Sequence, residues 1–553
     1  MRSRVWAWLA VAAVVTAAAA VRLRLLDVPL DRDEGEYAYF GQLLLGGVPP
    51  YALAYNLKLP GIYGVYAAVM AAFGQTPEGI RAGLIVITSA TTVGVYLLGM
   101  RLAGPGVGVA AAAMFAALSL DPKLLGIAAY AEHFALLPVV AGALVLWRAA
   151  RDRRLAVVLA AGISFGVGLL VRQSAALFVA GGVVYLLVRE IGAEPPRVGR
   201  ARAVAVFLAG AVAPLALTCA GLLAAGTFRT FWFWAFSYAP YYQADAAAGW
   251  SNLARTLGAV APSTSVALAL AGVGLGAAVR DRRRDWSVLV LTLAASSVLG
   301  TMMGLQFRPH YFLIALPAVA LLAGLGLRTL AELLAAWRPG RLHWALPGAL
   351  LLAALVQPLN ASRAVLFQLT PHQVSRAIYG RNPFPESVEI ARYIREHSGA
   401  DDRIAVVGSE PQIYFYSSRR SATGYIYTYP LMEIQPYASS MQREMIREIE
   451  TAAPRFLVFV SATKSWVARP GSDRTIFSWF AAYQRGFTRV GVVDIVSPQE
   501  TVYRWGEAAR DYAPRSDVWL MLFERQRPGQ SLLPGQTRYL WGQAAAANER
   551  TGS

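Results

Sequence analysis

The sequence predicts a polytopic α-helical membrane protein of about eleven transmembrane helices, followed by a soluble C-terminal α/β domain. Three observations carry that expectation. Only 15% of the 553 residues are charged and 56% are hydrophobic, whereas a soluble domain carries about 25% charged residues. Apolar runs recur through the first two-thirds of the chain, many reaching the roughly 17–25 residues a helix needs to cross the hydrocarbon core. Beyond residue 358 the character changes: Pro, Arg and Tyr rise, and short β-rich runs alternate with amphipathic ones.

The spans are expected near 5–26, 79–100, 104–120, 129–147, 155–171, 174–188, 203–225, 259–279, 286–305, 311–327 and 344–358. The first contains Ala17–Ala20, small residues of the kind found at signal cleavage sites, and is read as an uncleaved anchor. Eighteen Lys and Arg fall in the N-terminal tail and in the loops at 101, 148–154, 189–202, 280–284 and 328–341; nine are spread over the longer intervening loops. Basic-rich loops stay in the cytoplasm, so the N-terminus is expected inside and the C-terminal domain outside. The high Ala, Gly and Arg content suggests a GC-rich bacterial genome, and the expected location is a bacterial inner (plasma) membrane. The expected domains are 1–358, with a first external loop at 27–78, and 359–553. In the second, Arg403–Gly408, Arg455–Val460, Arg489–Ile495 and Val518–Phe523 read as strands, and Glu386–His397 and Glu433–Glu450 as helices, which together suggest an α/β domain.

The net charge of +18 raises nucleic acid as a partner. Nucleic-acid binders gather Lys and Arg on one face or tail. Here clusters such as Arg280, Arg282, Arg283 and Arg284 interrupt apolar runs, so nucleic acid is not expected. The single cysteine, Cys219, rules out an intramolecular disulfide and a cysteine metal site.

The loop after the first span holds four acids in six positions, Asp31, Asp33, Glu34 and Glu36. Tyr37–Leu45 and Gly61–Phe73 have apolar faces at helical spacing and are expected as helices in the membrane interface. Acids beside the apolar phase are costly to desolvate. For any one of them, a helix-capping role in a solvated loop is the simpler reading. Other polar features fall on the same expected side: Glu132-His133 at the fourth span, Arg172-Gln173 between the fifth and sixth, and Arg308-Pro309-His310-Tyr311 at the tenth. The aromatic loop Phe228–Gln243 suits an interface belt or a lipid or sugar surface. A lone arginine at a span end is most simply a snorkelling side chain. Acids and cations converging on one membrane face suggest instead a site for a phosphorylated lipid.

The stretch Asp33-Glu34-Gly-Glu-Tyr-Ala-Tyr-Phe, with the later Asn56-Leu57-Lys58-Leu-Pro60-Gly-Ile-Tyr63, resembles the first external loop of the GT-C membrane glycosyltransferases. It is most similar to the protein O-mannosyltransferase and aminoarabinose-transferase group, the dolichyl-phosphate-mannose-protein mannosyltransferase-like enzymes. The similarity runs through the membrane half, including the acid heading the fourth span and the run from His310 to Pro317. It implies transfer of a sugar, with inversion, from a polyprenyl-phosphate donor to a glycan, lipid or protein acceptor at the external face. It implies Asp33 as general base, Glu34 as its neighbour and Glu132 as a second acid. Lys58, Arg172 and Tyr311 match positions at the lipid phosphate, and Arg308, His310 and Tyr63 complete the expected substrate-binding set. Leu57 departs from the aminoarabinose enzymes, which carry a metal-associated acid there. With five His and one Cys, no cofactor and no structural zinc are expected, although a divalent cation would be compatible with the acids.

The competing reading is a polytopic transporter or lipid-linked glycan flippase. Such proteins show internal repeats and charges near the bilayer midplane; this sequence shows no convincing repeat, and its charges stand at span ends.

Overall fold

The computed structural model describes residues 2–152, 154–188, 199–242, 246–282, 284–337 and 342–526. Of the basic-loop residues counted above, Arg153, Arg189, Arg197, Arg283, Arg338 and Arg341 lie outside the described residues.

The chain opens with α1 (Arg2–Leu23), α2 (Arg32–Leu45), α3 (Gly61–Phe73), α4 (Pro77–Ala103) and α5 (Pro105–Leu118). Next come α6 (Ala131–Asp152), α7 (Leu155–Val171), α8 (Ala176–Val188), α9 (Arg200–Ala224) and α10 (Phe228–Trp232). The long helices end with α11 (Ala246–Arg280), α12 (Asp285–Met302), α13 (Leu316–Trp337) and α14 (Leu342–Ala361). Among the described residues, eight helices are long and apolar enough to cross a membrane: α1, α4, α6, α9, α11, α12, α13 with the turn before it, and α14. Three shorter apolar helices, α5, α7 and α8, coincide with the other expected spans. Several boundaries differ from expectation; α13, for one, runs to Trp337 rather than ending near 327. Helix α11 starts at Ala246 rather than near 259, and the tenth span begins as a 3-10 turn, Pro309–Ala315.

Contacts divide the chain into a helical unit, Met1–Asp27, Lys58–Gly226 and Tyr242–Leu369, and an α/β unit, Val28–Leu57, Thr227–Tyr241 and the chain from Thr370. The expected division ran at 358/359. The difference lies in 28–57 and 227–241, which group with the C-terminal segment, and in 359–369, which group with the helical unit.

Within the helical unit, glycines bring helices close. A Cβ at Gly162 of α7 would collide with the carbonyl of Phe207 on α9, and one at Gly166 with that of Ala211. Gly274 of α11 and Gly326 of α13 approach each other's helix backbone in the same way. Small residues serve this purpose because apolar side chains gain nothing by leaving lipid for another helix, so close van der Waals contact holds the helices together.

Among the described residues, the α/β unit is built on a six-stranded sheet: β1 (Arg403–Val407), β2 (Arg420–Ser421), β3 (Phe456–Ser461), β4 (Phe487–Ile495), β5 (Thr501–Trp505) and β6 (Trp519–Arg525). The order is β2-β1-β3-β6-β4-β5, with β2, β1 and β3 parallel and the rest antiparallel. Ala405, Val407, Leu457 and Phe459 face a core shared with Met441 and Met445, from the helix Ala438–Ala452. The alternate residues Ile404, Val406, Phe456 and Val458 are also buried, and Tyr393 of the helix Phe384–Glu396 stands edge-on to Phe456. Both faces are covered, so these strands read as continuous apolar runs.

Three elements differ from the sequence expectation. Helix α2 is not a lone interfacial helix: it packs on Gln412–Ser417, with Gly35 so close to Gln412 that a Cβ would lie 2.6 Å from the glutamine Cβ. The helix expected at 433–450 starts only at Ala438, after a break following Tyr429–Met432. The aromatic loop folds as α10 and a π-helix, Phe233–Tyr238. Trp234 and Tyr238 point into the α/β core, while Trp232, Phe236 and Tyr241 remain exposed.

Candidate active site

In the helical unit, four residues singled out in the sequence converge. Glu132, in the first turn of α6, is fully buried, and its Oε1 lies 3.0 Å from Arg172 Nη1 and 3.9 Å from His310 Nε2. Arg172 occupies the extended residue between α7 and the 3-10 turn Gln173–Ala175, and also donates to Ser174 Oγ at 3.1 Å. Its guanidinium lies over the Tyr311 ring, 4.5 Å from the centroid. His310 stacks on Tyr130, with ring centroids 4.3 Å apart and planes 2° from parallel. Non-helical backbone at membrane depth is tolerated where protein surrounds it, and the breaks at Arg172 and Pro309 let these side chains turn inward.

The segment leading into Glu132 is pinned by its carbonyls. Arg22 donates to Ser119 O and Gly126 O at 2.8 and 3.0 Å, Arg81 to Ile127 O at 2.8 Å, and Tyr66 to Ala129 O at 2.6 Å. His133 Nε2 lies 3.0 Å from Gly126 O. Sequence reasoning missed Tyr130, Tyr66, Arg22 and Arg81. The two buried arginines were the available signal, since a charge in an apolar span needs a partner. Lys58 is half-buried just ahead of α3, Tyr63 is buried in the first turn of α3, and Arg308 is half-buried before the Pro309 turn.

In the α/β unit, Asp31 is the N-cap of α2. Its side chain accepts from the Glu34 amide at 2.9 Å, and Glu34 accepts in return from the Asp31 amide at 3.2 Å. This capping box gives Glu34, expected as a partner in catalysis, a definite structural task. Asp33 differs: across 31–40 it alone is not fully buried, and Tyr427 donates to its Oδ1 at 3.2 Å. Arg32, beside it, pairs with the buried Glu410 and donates to Ser409 O and to Tyr429 Oη. Burial opposes the Arg32 charge, but Glu410 and the two tyrosines outweigh it and hold the group cationic. Burial, and then the charge of Asp33, push the Tyr427 phenol well above its ordinary range, so it stays a donor. Among the described residues, no three His, Cys, Asp or Glu side chains gather into a cage for a metal ion.

This architecture is the GT-C fold of membrane glycosyltransferases. Residues 60–220 match the family model for dolichyl-phosphate-mannose-protein mannosyltransferase, the group that the first loop resembles; the match begins after Asp33, Glu34 and Lys58. ArnT from Cupriavidus metallidurans bound to undecaprenyl phosphate superposes with a TM-score of 0.54 at 16% identity, covering 81% of this chain and 93% of that one. Its apo form gives 0.54 at 16% identity, over 95% and 98% of the two chains. The archaeal oligosaccharyltransferase AglB from Archaeoglobus fulgidus, in complex with an inhibitory peptide and a dolichol-phosphate, gives 0.51 at 13% identity over 92% and 75%. No curated protein sequence matches the chain.

Proposed function

We propose that this protein is an inverting glycosyltransferase of a bacterial inner membrane, moving a sugar from a polyprenyl-phosphate donor to an acceptor at the extracytoplasmic face. The observation that carries the reading is the buried Glu132–Arg172 pair with His310 and Tyr311 around it. A carboxylate at a membrane helix end has fixed a guanidinium there, as an anion-binding site requires. The family match and the lipid phosphates named in the ArnT and AglB complexes support the same donor class.

In this mechanism the acceptor hydroxyl attacks the anomeric carbon while the lipid phosphate leaves. Charge grows on the leaving phosphate, so cations already in place stabilise the transition state more than the ground state. Arg172 holds that phosphate with Lys58 and Arg308; Glu132 fixes the orientation of Arg172. Asp33 takes the proton of the attacking hydroxyl, a contribution of about 10²–10⁴-fold in rate. The acceptor, whether glycan, lipid or protein, is the less defined substrate.

The test uses purified protein, a polyprenyl-phosphate sugar and a candidate acceptor, and measures released polyprenyl phosphate. Asp33→Asn is expected to abolish release while donor still binds. Normal turnover by that variant would remove Asp33 from the role, and acceptor-independent movement of intact donor between leaflets would favour a flippase.

A further inference from the structure

We infer that Tyr427, from the C-terminal segment, is the positioning residue for Asp33, so that segment supplies part of the catalytic apparatus rather than only displaying an acceptor. The inference rests on the reading of Asp33 as the base.

A general base must present its carboxylate along one direction, and a misplacement of about 1 Å costs on the order of 10²-fold. Three observations show that direction being set. The Tyr427 hydroxyl donates to Asp33 Oδ1 at 3.2 Å. Its ring stands edge-on to Tyr429, with centroids 5.0 Å apart at 84°. Tyr429 is itself tied at both sides, accepting from Arg32 Nη1 and donating to Lys464 O at 2.6 Å. The phenol that reaches Asp33 is therefore braced by the neighbour of Asp33 in sequence.

The alternative is that Tyr427 merely fastens α2 to the C-terminal segment. That fastening is carried elsewhere: by the buried Arg32–Glu410 pair, by the Ser421 amide donating to Tyr39 Oη at 2.7 Å, and by the close approach of Gly35 to Gln412. A bond not needed for attachment, made to the one half-buried acid of the motif, serves that acid.

Transfer is measured with the full-length protein and a polyprenyl-phosphate sugar. Tyr427→Phe is expected to lower kcat by about 10–100-fold, with KM for donor and the melting temperature unchanged. Tyr39→Phe loses a tie between the same two segments and is expected to lower the melting temperature with kcat near that of the unaltered protein. Tyr427→His keeps a donor on a shorter side chain and is expected to fall between Phe and Tyr. The inference is overturned if Tyr427→Phe keeps its kcat, if Tyr39→Phe loses kcat equally, or if His restores nothing over Phe. Failure of the unaltered protein to transfer would overturn the reading of Asp33 itself, a separable result.

Discussion

Glu132 makes plain what an acid at the head of a membrane helix demands of its surroundings. Its side chain is wholly buried and Arg172 is 16% exposed, with 3.0 Å between them. Removing one partner of a buried ion pair strands the other charge, at about 3–5 kcal/mol, whereas removing both is far cheaper. Arg172→Met is therefore expected to lower the melting temperature in detergent sharply, and Glu132→Gln/Arg172→Met to recover most of the loss. Purely additive losses would mean that the two side chains do not act as a pair. These residues were legible in the sequence because charge is conspicuous in an apolar chain. Tyr130 was not, since a tyrosine among apolar residues looks like core until its stacking on His310 is seen. Glu34 shows the opposite case: its place beside Asp33 suggested chemistry, and the structure gives its side chain a capping box to close.

At the scale of elements, hydropathy located the long helices because the bilayer imposes one length and one composition on every span. What it could not supply was the partner of each helix. The α7–α9 contact depends on Gly162, Gly166 and Gly210 meeting opposing backbone, a fact about two distant segments. Gly162→Leu is expected to destabilise the protein by at least about 1–3 kcal/mol through overpacking, read as a lower melting temperature. Gly272→Leu on α11, where an added Cβ meets nothing within 4 Å, is the control and should change little. Equal effects would mean that helix propensity, not packing, decides. The same limitation explains α2. Tyr37, Tyr39 and Phe40 have the pattern of an interfacial helix, and only the bonds to Gln412–Ser417 and Ser421 reveal that this face is buried against the C-terminal segment. Strands β1 and β3 were legible as apolar runs, whereas β2, two residues long, and β5, whose residues are all half-buried or exposed, offer no such run.

For the whole molecule, the distribution of basic residues makes a claim that the fold alone does not. Eighteen of them crowd the alternate loops that would be cytoplasmic, and Lys and Arg near span ends resist translocation. The sugar-transfer reading needs the same orientation, because Asp33 and Lys58 follow the first span and so fall on the outer side only if the N-terminus is inside. Cys219 is the sole thiol, so a Cys219→Ser background lets single cysteines report sidedness. Arg282 and Gln499 are both exposed, the first in the loop between α11 and α12, the second between β4 and β5. Gln499→Cys is expected to react with a membrane-impermeant maleimide in intact cells, and Arg282→Cys only after permeabilisation. The reverse pattern would put Asp33 and Lys58 in the cytoplasm and end the case for extracytoplasmic transfer. Labelling of both in intact cells would require an even number of crossings between them, against the three expected from the helices α12, α13 and α14 that lie between these two positions.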